Sequence, residues 1–397
     1  MNSNTIIVIA LLLLAPLALW WGTWLLLAIA ALFRTRTTST PTPIQIDILI
    51  PAHNEANQLP ALLSSLAQQN PAFRGQVLVV ADHCNDDTAA IARSFGVTVV
   101  ERHAGPRGKP AALATGLAAL RTINHVRPLC ILDADCVVND TFLPALAGQL
   151  QLDANVVQAN YQLTAGHGEL HGPAMIAFAL KNAVRARGAH NLGVPVQLFG
   201  TGMCFDTQTA ASLQFENHLT EDLALSYDLL LAGKRMALAD DARVTSPLPE
   251  NHAGLNTQKM RWEQGQITLW RKLPGRLLHL LLRGKLRAAL AVIDWSAPPL
   301  ALACLYFVAA SIVITALSLI FRVLHLLWLP PAVAMLLIAY ILIGTLQCGG
   351  PAALFTLLRR VPQFIFWKCT LYARMLTGRG ARGWQRTERD SPGLAKT

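Results

Sequence analysis

From Thr5 to Phe33 the sequence has no charged residue, and across all 397 residues only 14% are Asp, Glu, Lys or Arg against 53% hydrophobic. So little charge excludes one ordinary soluble domain, and the charge carried by the middle of the chain excludes a pure membrane bundle. A protein with a membrane part and a water-facing part is implied. Cysteine is sparse: Cys84, Cys130, Cys136, Cys204, Cys304, Cys348 and Cys369 are scattered, with no CxxC pair and no His at zinc-finger spacing. That excludes a disulfide framework and a structural zinc site, and agrees with a reducing, cytosol-facing domain. Internal repeats and low-complexity tracts are absent as well.

At about 1.5 Å per residue, the uncharged N-terminal run is longer than the roughly 30 Å hydrocarbon core, so it reads as one spanning helix. A cleaved signal peptide is the other reading. It is disfavoured because the run has no basic residues before it and outlasts the usual ~7–15-residue apolar region. Two further apolar stretches, Pro298 to Ile320 and Pro330 to Leu358, are separated by a short piece around Arg322 and His325 and read as a helical hairpin. Arg34 and Arg36 follow the first span, and Arg359, Arg360, Lys368, Arg374, Arg379 and Arg382 follow the last, which places the middle region on the cytoplasmic side.

The net charge of +10 would point to nucleic acid in a soluble protein. Here the basic clusters flank membrane segments, so lipid and not nucleic acid is the expected partner. Between Pro274 and Trp295, Arg276, Arg283, Lys285 and Arg287 interleave with leucines. This pattern fits an in-plane amphipathic helix on anionic lipid, or a buried helix with solvated basic ends.

Arg34 to Pro43 is rich in Thr, Ser and Pro and reads as a linker. Beyond it, strands and helices alternate. Strands are expected at Ile44–Ile50, Val77–Val80, Val97–Glu101 and Pro128–Leu132, and helices at Glu55–Gln69, Thr88–Phe95 and Pro110–Arg121. Such a series implies an α/β fold with a mainly parallel sheet covered on both faces, where ligands bind beyond the carboxyl ends of the strands. The polar clusters Pro51–Glu55, Ala81–Asp87 and Asp133–Asp135 fall at those ends. From Val156 to Ala242 the pattern is weaker, apart from a helix at Glu221–Ala232.

Asp133 and Asp135 put two hard carboxylates at one strand end, as Mg²⁺ or Mn²⁺ would require, although Asp is also common in turns. Lys109 follows Gly105-Pro-Arg-Gly108 and opens a helix, where it meets an anion or simply solvent. Asp82, Asn85 and Asp86 could hold a base or ribose hydroxyl, or cap a helix. Glu221 and Asp222 in Thr220-Glu-Asp222 could be dipole partners in a first helical turn. Gln258, Arg261 and Trp262 combine an amide, a permanent cation and an indole, a set equally suited to an interfacial anchor.

Taken in order, Pro51-Ala-His-Asn-Glu55, Asp82, Gly108-Lys109, Asp133-Ala-Asp135, Thr220-Glu-Asp222 and Gln258-x-x-Arg261-Trp262 resemble the membrane-bound family 2 glycosyltransferases. That group includes cellulose, chitin and hyaluronan synthases, nodulation N-acetylglucosaminyltransferases and ceramide glucosyltransferases. The resemblance covers roughly residues 44 to 270. It implies a GT-A type nucleotide-sugar domain in which Pro51, His53, Glu55 and Asp82 line the uridine pocket, Lys109 approaches the diphosphate, and Asp133 lies near the ribose or a metal-bound water. Asp135 would bind Mg²⁺ or Mn²⁺. Asp222, beside Glu221, would be the general base, Gln258, Arg261 and Trp262 would frame the acceptor and the leaving diphosphate, and Gly200-Thr-Gly202 would lie beside the donor sugar. A base beside so much positive charge would keep a modest pKa. One departure stands out: Ala81-Asp-His-Cys-Asn-Asp86 replaces the usual Asp-Asp or Asp-Gly-Ser arrangement, which leaves the choice of nucleobase open.

The implied layout is an anchor at 1–33, a linker at 34–43, a cytoplasmic GT-A catalytic domain at 44–273, an interfacial segment at 274–297, a transmembrane hairpin at 298–358 and a basic cytoplasmic tail at 359–397. The implied activity is inverting, metal-dependent transfer from a UDP-sugar to a lipid-linked or saccharide acceptor at the inner membrane, with export or polymerisation partners conceivable. The alternatives are a processive polysaccharide synthase, a nucleotidyltransferase and, more remotely, a non-catalytic membrane scaffold.

Overall fold

The computed structural model describes residues 2–33, 41–122, 127–164, 171–215, 220–248, 260, 265–266 and 273–376. Strand β1 (Ile46–Ala52) is an almost unbroken apolar run, as a strand buried on both faces must be. Ile46, Ile48 and Ile50 enter the core beneath helix α2 (Leu59–Ala67), while Leu49 points to the opposite face, against helix α4 (Lys109–Thr122). On that second face α4 lies so close that a Cβ at Gly116 would come within 2.3 Å of Leu49 Cδ1.

Between these helices run β2 (Arg74–Asp82), α3 (Thr88–Ser94) and β3 (Thr98–Arg102), and β4 (Leu129–Ile131) follows α4. Strands β1 to β4 are parallel, in the order β3-β2-β1-β4. Their carboxyl ends therefore open on one edge.

The region from Val156 onward is more regular than its sequence pattern suggests. After the short strand β5 (Val137–Val138) and helix α5 (Phe142–Gln151), β6 (Val156–Thr164), β7 (Met203–Phe205) and β8 (Met236–Pro247) extend the sheet in the order β4-β7-β6-β8-β5. Strand β7 runs antiparallel to β4 and β6, and β8 is parallel to β6. The reason for the weak pattern is visible in β6, where Gln158 and Asn160 are buried and break the apolar signature. Gln158 donates to Thr201 O at 2.9 Å and accepts from Phe199 N at 3.0 Å, so its burial is compensated by hydrogen bonds.

Helices α6 (His171–Ala179) and α7 (Ala186–Asn191) sandwich a π-helical turn (Leu180–Arg185), and α8 (Thr207–Ser212) and α9 (Glu221–Leu231) complete the second face. Next come α10 (Leu273–Leu282) and α11 (Leu286–Ser296), which the sequence pattern had suggested as one helix. The break falls at Gly284, whose φ of +66° is left-handed and reverses the chain cheaply only for glycine.

Among the described residues, three helices are long and apolar enough to cross a membrane: α1 (Ser3–Ala30), α12 (Leu300–Ile320) and the Leu324–Arg360 stretch, most of which lies in α13 (Leu329–Leu376). Helix α13 is broken at Gly349 and Gly350, just before Pro351. The three helices share one apolar cluster, with Trp21 of α1 5.2 Å from the Phe307 ring and Trp24 5.3 Å from Tyr340. Leu180 and Val184 of the π-helical turn belong to the same cluster.

The α/β layer meets α1 at close range, because a Cβ at Gly188 of α7 would lie 1.9 Å from Leu27 O. A Gly188→Ala substitution should push α7 off α1. We expect it to destabilise the protein by about 1–3 kcal/mol, read as a lower Tm of the detergent-purified chain.

Candidate functional site

Two loops at the carboxyl edge lock together first. Asn54 adopts φ +54° and its side-chain oxygen accepts from Asn85 N at 2.9 Å, while Glu55 N donates to Thr88 Oγ1 at 2.8 Å. His53 Nδ1 lies 2.6 Å from Asp82 O. Asp82 itself is buried, and its carboxylate accepts from Gly108 N at 3.1 Å and is bound by Arg102 and His83. Burial alone would raise its pKa, but the bonds from His83, Gly108 and Arg102 outweigh it and hold the carboxyl below the usual range. Pro51, His53, Glu55 and Asp82 thus form one rigid corner, to which Arg102, unsuspected from the sequence, contributes its charge.

Lys109 is the centre of the second group. Its ammonium donates to Gly200 O at 2.6 Å, pairs with Asp133 Oδ1 at 2.6 Å and lies 3.6 Å from Glu221 Oε1. It thereby ties together the end of β4, the start of α9 and the loop before β7. Burial works against its charge, but Asp133, Glu221 and Asp222 overcome that and push its pKa up. Asp133 is raised in turn by burial and by Asp135 and Glu221, against the pull of Lys109. Carboxylates outnumber ammonium groups here, and the deficit of positive charge is a property of the site.

Thr201 joins the same pieces from beneath, accepting from Asp133 N at 3.0 Å and holding Gln158 Nε2 at its carbonyl. Gly200 and Gly202 both have positive φ, and a Cβ at Gly200 would lie 3.4 Å from Asp222 Oδ2. The Ser226 hydroxyl donates to Asp222 O at 2.7 Å and accepts from Leu198 N at 2.9 Å, which fixes α9 against that loop. Asp222 Oδ1 takes the Leu223 amide at 2.9 Å.

The expectation of a modest pKa for Asp222 is corrected by the structure. Burial first, then Glu221, push it up to about 6, although Lys109, the Leu223 amide and Lys181 pull the other way. The positive charge is already committed to Asp133 and Glu221, so little of it is left to hold Asp222 ionised.

A family profile described as glycosyltransferase-like family 2 matches residues 43–265, more than half of the chain. The chain belongs to this family. It is a glycosyltransferase, with a GT-A-like α/β fold flanked by three apolar helices. Among solved structures, the mannosyltransferase PcManGT from Pyrobaculum calidifontis, in complex with GDP-Man and Mn2+, superposes with a TM-score of 0.54 at 16% identity, covering 86% of this chain and 97% of that one. A curated relative, the 4,4'-diaponeurosporenoate glycosyltransferase of Staphylococcus haemolyticus (strain JCSC1435), is 36% identical over 102 residues. That alignment spans 25% of this chain and 26% of the relative, so it covers about a quarter of each.

In this glycosyltransferase the strand-end edge brings together Lys109, Asp133, Asp135, Glu221 and Asp222, with Pro51, His53, Glu55 and Asp82 at the neighbouring corner. Gln258, Arg261 and Trp262 lie outside the described residues, as do residues 34–40 of the linker and 377–397 of the tail. Gly265, three residues beyond Trp262, packs against Thr220, where a Cβ would come within 2.4 Å of Thr220 Cγ2. Gln158 and Ser226 carry no motif signature and are visible only in the folded chain, whereas Thr201 belongs to the Gly200-Thr-Gly202 loop that the resemblance singles out. Asp82→Asn should leave the half-buried Arg102 without its carboxylate partner, holding only the Pro106 carbonyl, and cost about 2 kcal/mol at neutral pH. Because the native carboxyl is held low, that difference should be full above about pH 4 and should close as pH falls through the depressed native value, as measured by urea unfolding.

Proposed function

We propose that this glycosyltransferase transfers a sugar, with inversion, from a UDP-sugar to a hydroxyl of a lipid-linked or saccharide acceptor at the cytoplasmic face of the inner membrane. The observation that carries this reading is the position of Asp222, a half-buried carboxylate with pKa pushed up to about 6, against Gly200 and within electrostatic reach of Lys109. A base poised near neutrality fits proton removal from an alcohol. Basic residues next to the apolar helices support the cytoplasmic placement, and membrane lipid is then a structural partner.

In the proposed reaction, Asp222 accepts the acceptor hydroxyl proton while that oxygen bonds to the anomeric carbon from the face opposite the diphosphate. The bond from that carbon to the diphosphate oxygen breaks, and its electron pair leaves with UDP. Lys109 moves part of its charge from Asp133 and Glu221 to the leaving diphosphate. Pro51, His53, Glu55 and Asp82 would hold the uridine end, and Gln258, Arg261 and Trp262 the acceptor and the leaving group.

Mg²⁺ or Mn²⁺ fits the donor set, because Asp133 and Asp135 offer hard oxygens in a pocket short of positive charge. Among the described residues no group of three or more His, Cys, Asp or Glu side chains forms a self-sufficient metal site. A magnesium-type ion completes its shell with waters and substrate phosphates, so one or two carboxylates suffice. Held by Asp135, such an ion would neutralise charge on the departing diphosphate.

Two tests follow. Asp222→Asn should lower kcat by about 10²–10⁴-fold while Mn²⁺-dependent UDP binding is retained; full turnover in that variant would remove Asp222 from the role of base. For the wild type, kcat/KM should fall as pH drops through about 6, since only the ionised carboxylate accepts a proton.

A further inference from the structure

The mechanism leaves one ionisable group beside the site unused. Lys181 stands in the π-helical turn, and such turns, with their local widening of the helix, occur frequently at functional sites. Its ammonium lies 5.9 Å from the centroid of the Phe199 ring, and Phe199 immediately precedes Gly200, the residue packed against Asp222. Lys181 and Asp222 act on each other electrostatically. Among the described residues, however, no hydrogen bond or ion pair engages the Lys181 ammonium, which rests over the aromatic face.

One turn further on, Arg185 fixes this segment to the apolar helices. It pairs with Asp294 of α11 at 2.8 Å, and its guanidinium carbon lies 4.6 Å from the Trp24 ring of α1. Arg185 Nε and Trp24 Nε1 are buried without hydrogen-bond partners. Burial and the neighbouring Arg185 lower the Lys181 pKa to about 8, although Asp222 and Asp294 oppose them.

A half-buried ammonium without a counter-ion is unfavourable unless a ligand supplies the charge. Lys109 already serves Gly200, Asp133 and Glu221 and is assigned to the donor diphosphate. Lys181 instead sits on the segment whose Leu180 and Val184 join the apolar cluster of α1, along which a membrane-borne acceptor would arrive.

We propose that Lys181 is the anion-recognising residue of the acceptor subsite, so that the acceptor carries a phosphate or carboxylate close to the hydroxyl it presents to Asp222. This rests on the assignment of Asp222 as the base that faces the acceptor. It limits the acceptor class: neutral glycolipids and neutral saccharide ends would leave Lys181 uncompensated.

The test uses the full chain in phosphatidylcholine nanodiscs with UDP and Mn²⁺, titrated calorimetrically with octyl phosphate, octanoate and octanol. Wild type should bind one of the two anions at least about tenfold more tightly than octanol, the strength of a charge-assisted hydrogen bond. Octyl phosphate leading would indicate a phosphate-bearing acceptor, and octanoate leading a carboxylate. Lys181→Gln should lose the preference and Lys181→Arg should keep it, with UDP affinity unchanged in both. Equal binding of the three amphiphiles by wild type would overturn the proposal even if Lys181→Gln fails to fold. So would a Lys181→Gln variant that keeps the preference or loses UDP. UDP release from a UDP-sugar is followed in parallel. An anion preference without any release would keep the anion site but overturn its assignment to an acceptor.

Discussion

The carboxylate cluster at the carboxyl edge of the sheet depends on where the Lys109 ammonium is held. Gly108, at φ +121°, turns the chain so that Lys109 starts α4, and the side chain then reaches Gly200 O, Asp133 and Glu221 together. Those partners come from three separate stretches of chain. With the ammonium removed, Asp133, Asp135, Glu221 and Asp222 would repel one another in a half-buried space, and the loop before β7 would lose its tie to α4. The excess of carboxylate that remains even with Lys109 present is what a cation and a diphosphate together would balance.

A second constraint joins this edge to the apolar helices. Gly188 lets α7 lie against the Leu27 carbonyl of α1, Gly344 of α13 leaves room for Leu180, and Arg185 bridges Asp294 and the Trp24 ring. The π-helical turn is therefore clamped between the sheet and the apolar helices. In the proposed reaction, an acceptor delivered along the apolar helices would meet Asp222 at a position set by this packing.

The parallel half of the fold was legible because its strands are apolar runs bounded by turn residues: β1, β2 and β3 lie within a few residues of the spans that the pattern indicates. The mixed half was not, since β6 hides Gln158 and Asn160 in its interior and β5 is too short to show any period. The spacing of Asp133, Lys109, Glu221 and Asp222 along the chain could place them at the same edge, because parallel strands share one open end. It could not show that the positive charge is already engaged, which is why the high pKa of Asp222 was missed. Lys181 belongs to no motif, and only the π-helical turn brings it beside Phe199.

The central claim is that the Lys109-centred edge is a nucleotide-sugar site completed by a divalent cation. The most direct measurement is UDP release by the detergent-purified chain, with a panel of UDP-sugars and Mg²⁺ or Mn²⁺, for wild type and Asp135→Ala. Metal-dependent release from one donor, without pyrophosphate and lost in the variant, is the result this account predicts. Release that continues unchanged in Asp135→Ala, or no release from any donor with a crude lipid extract supplied as acceptor, would contradict it.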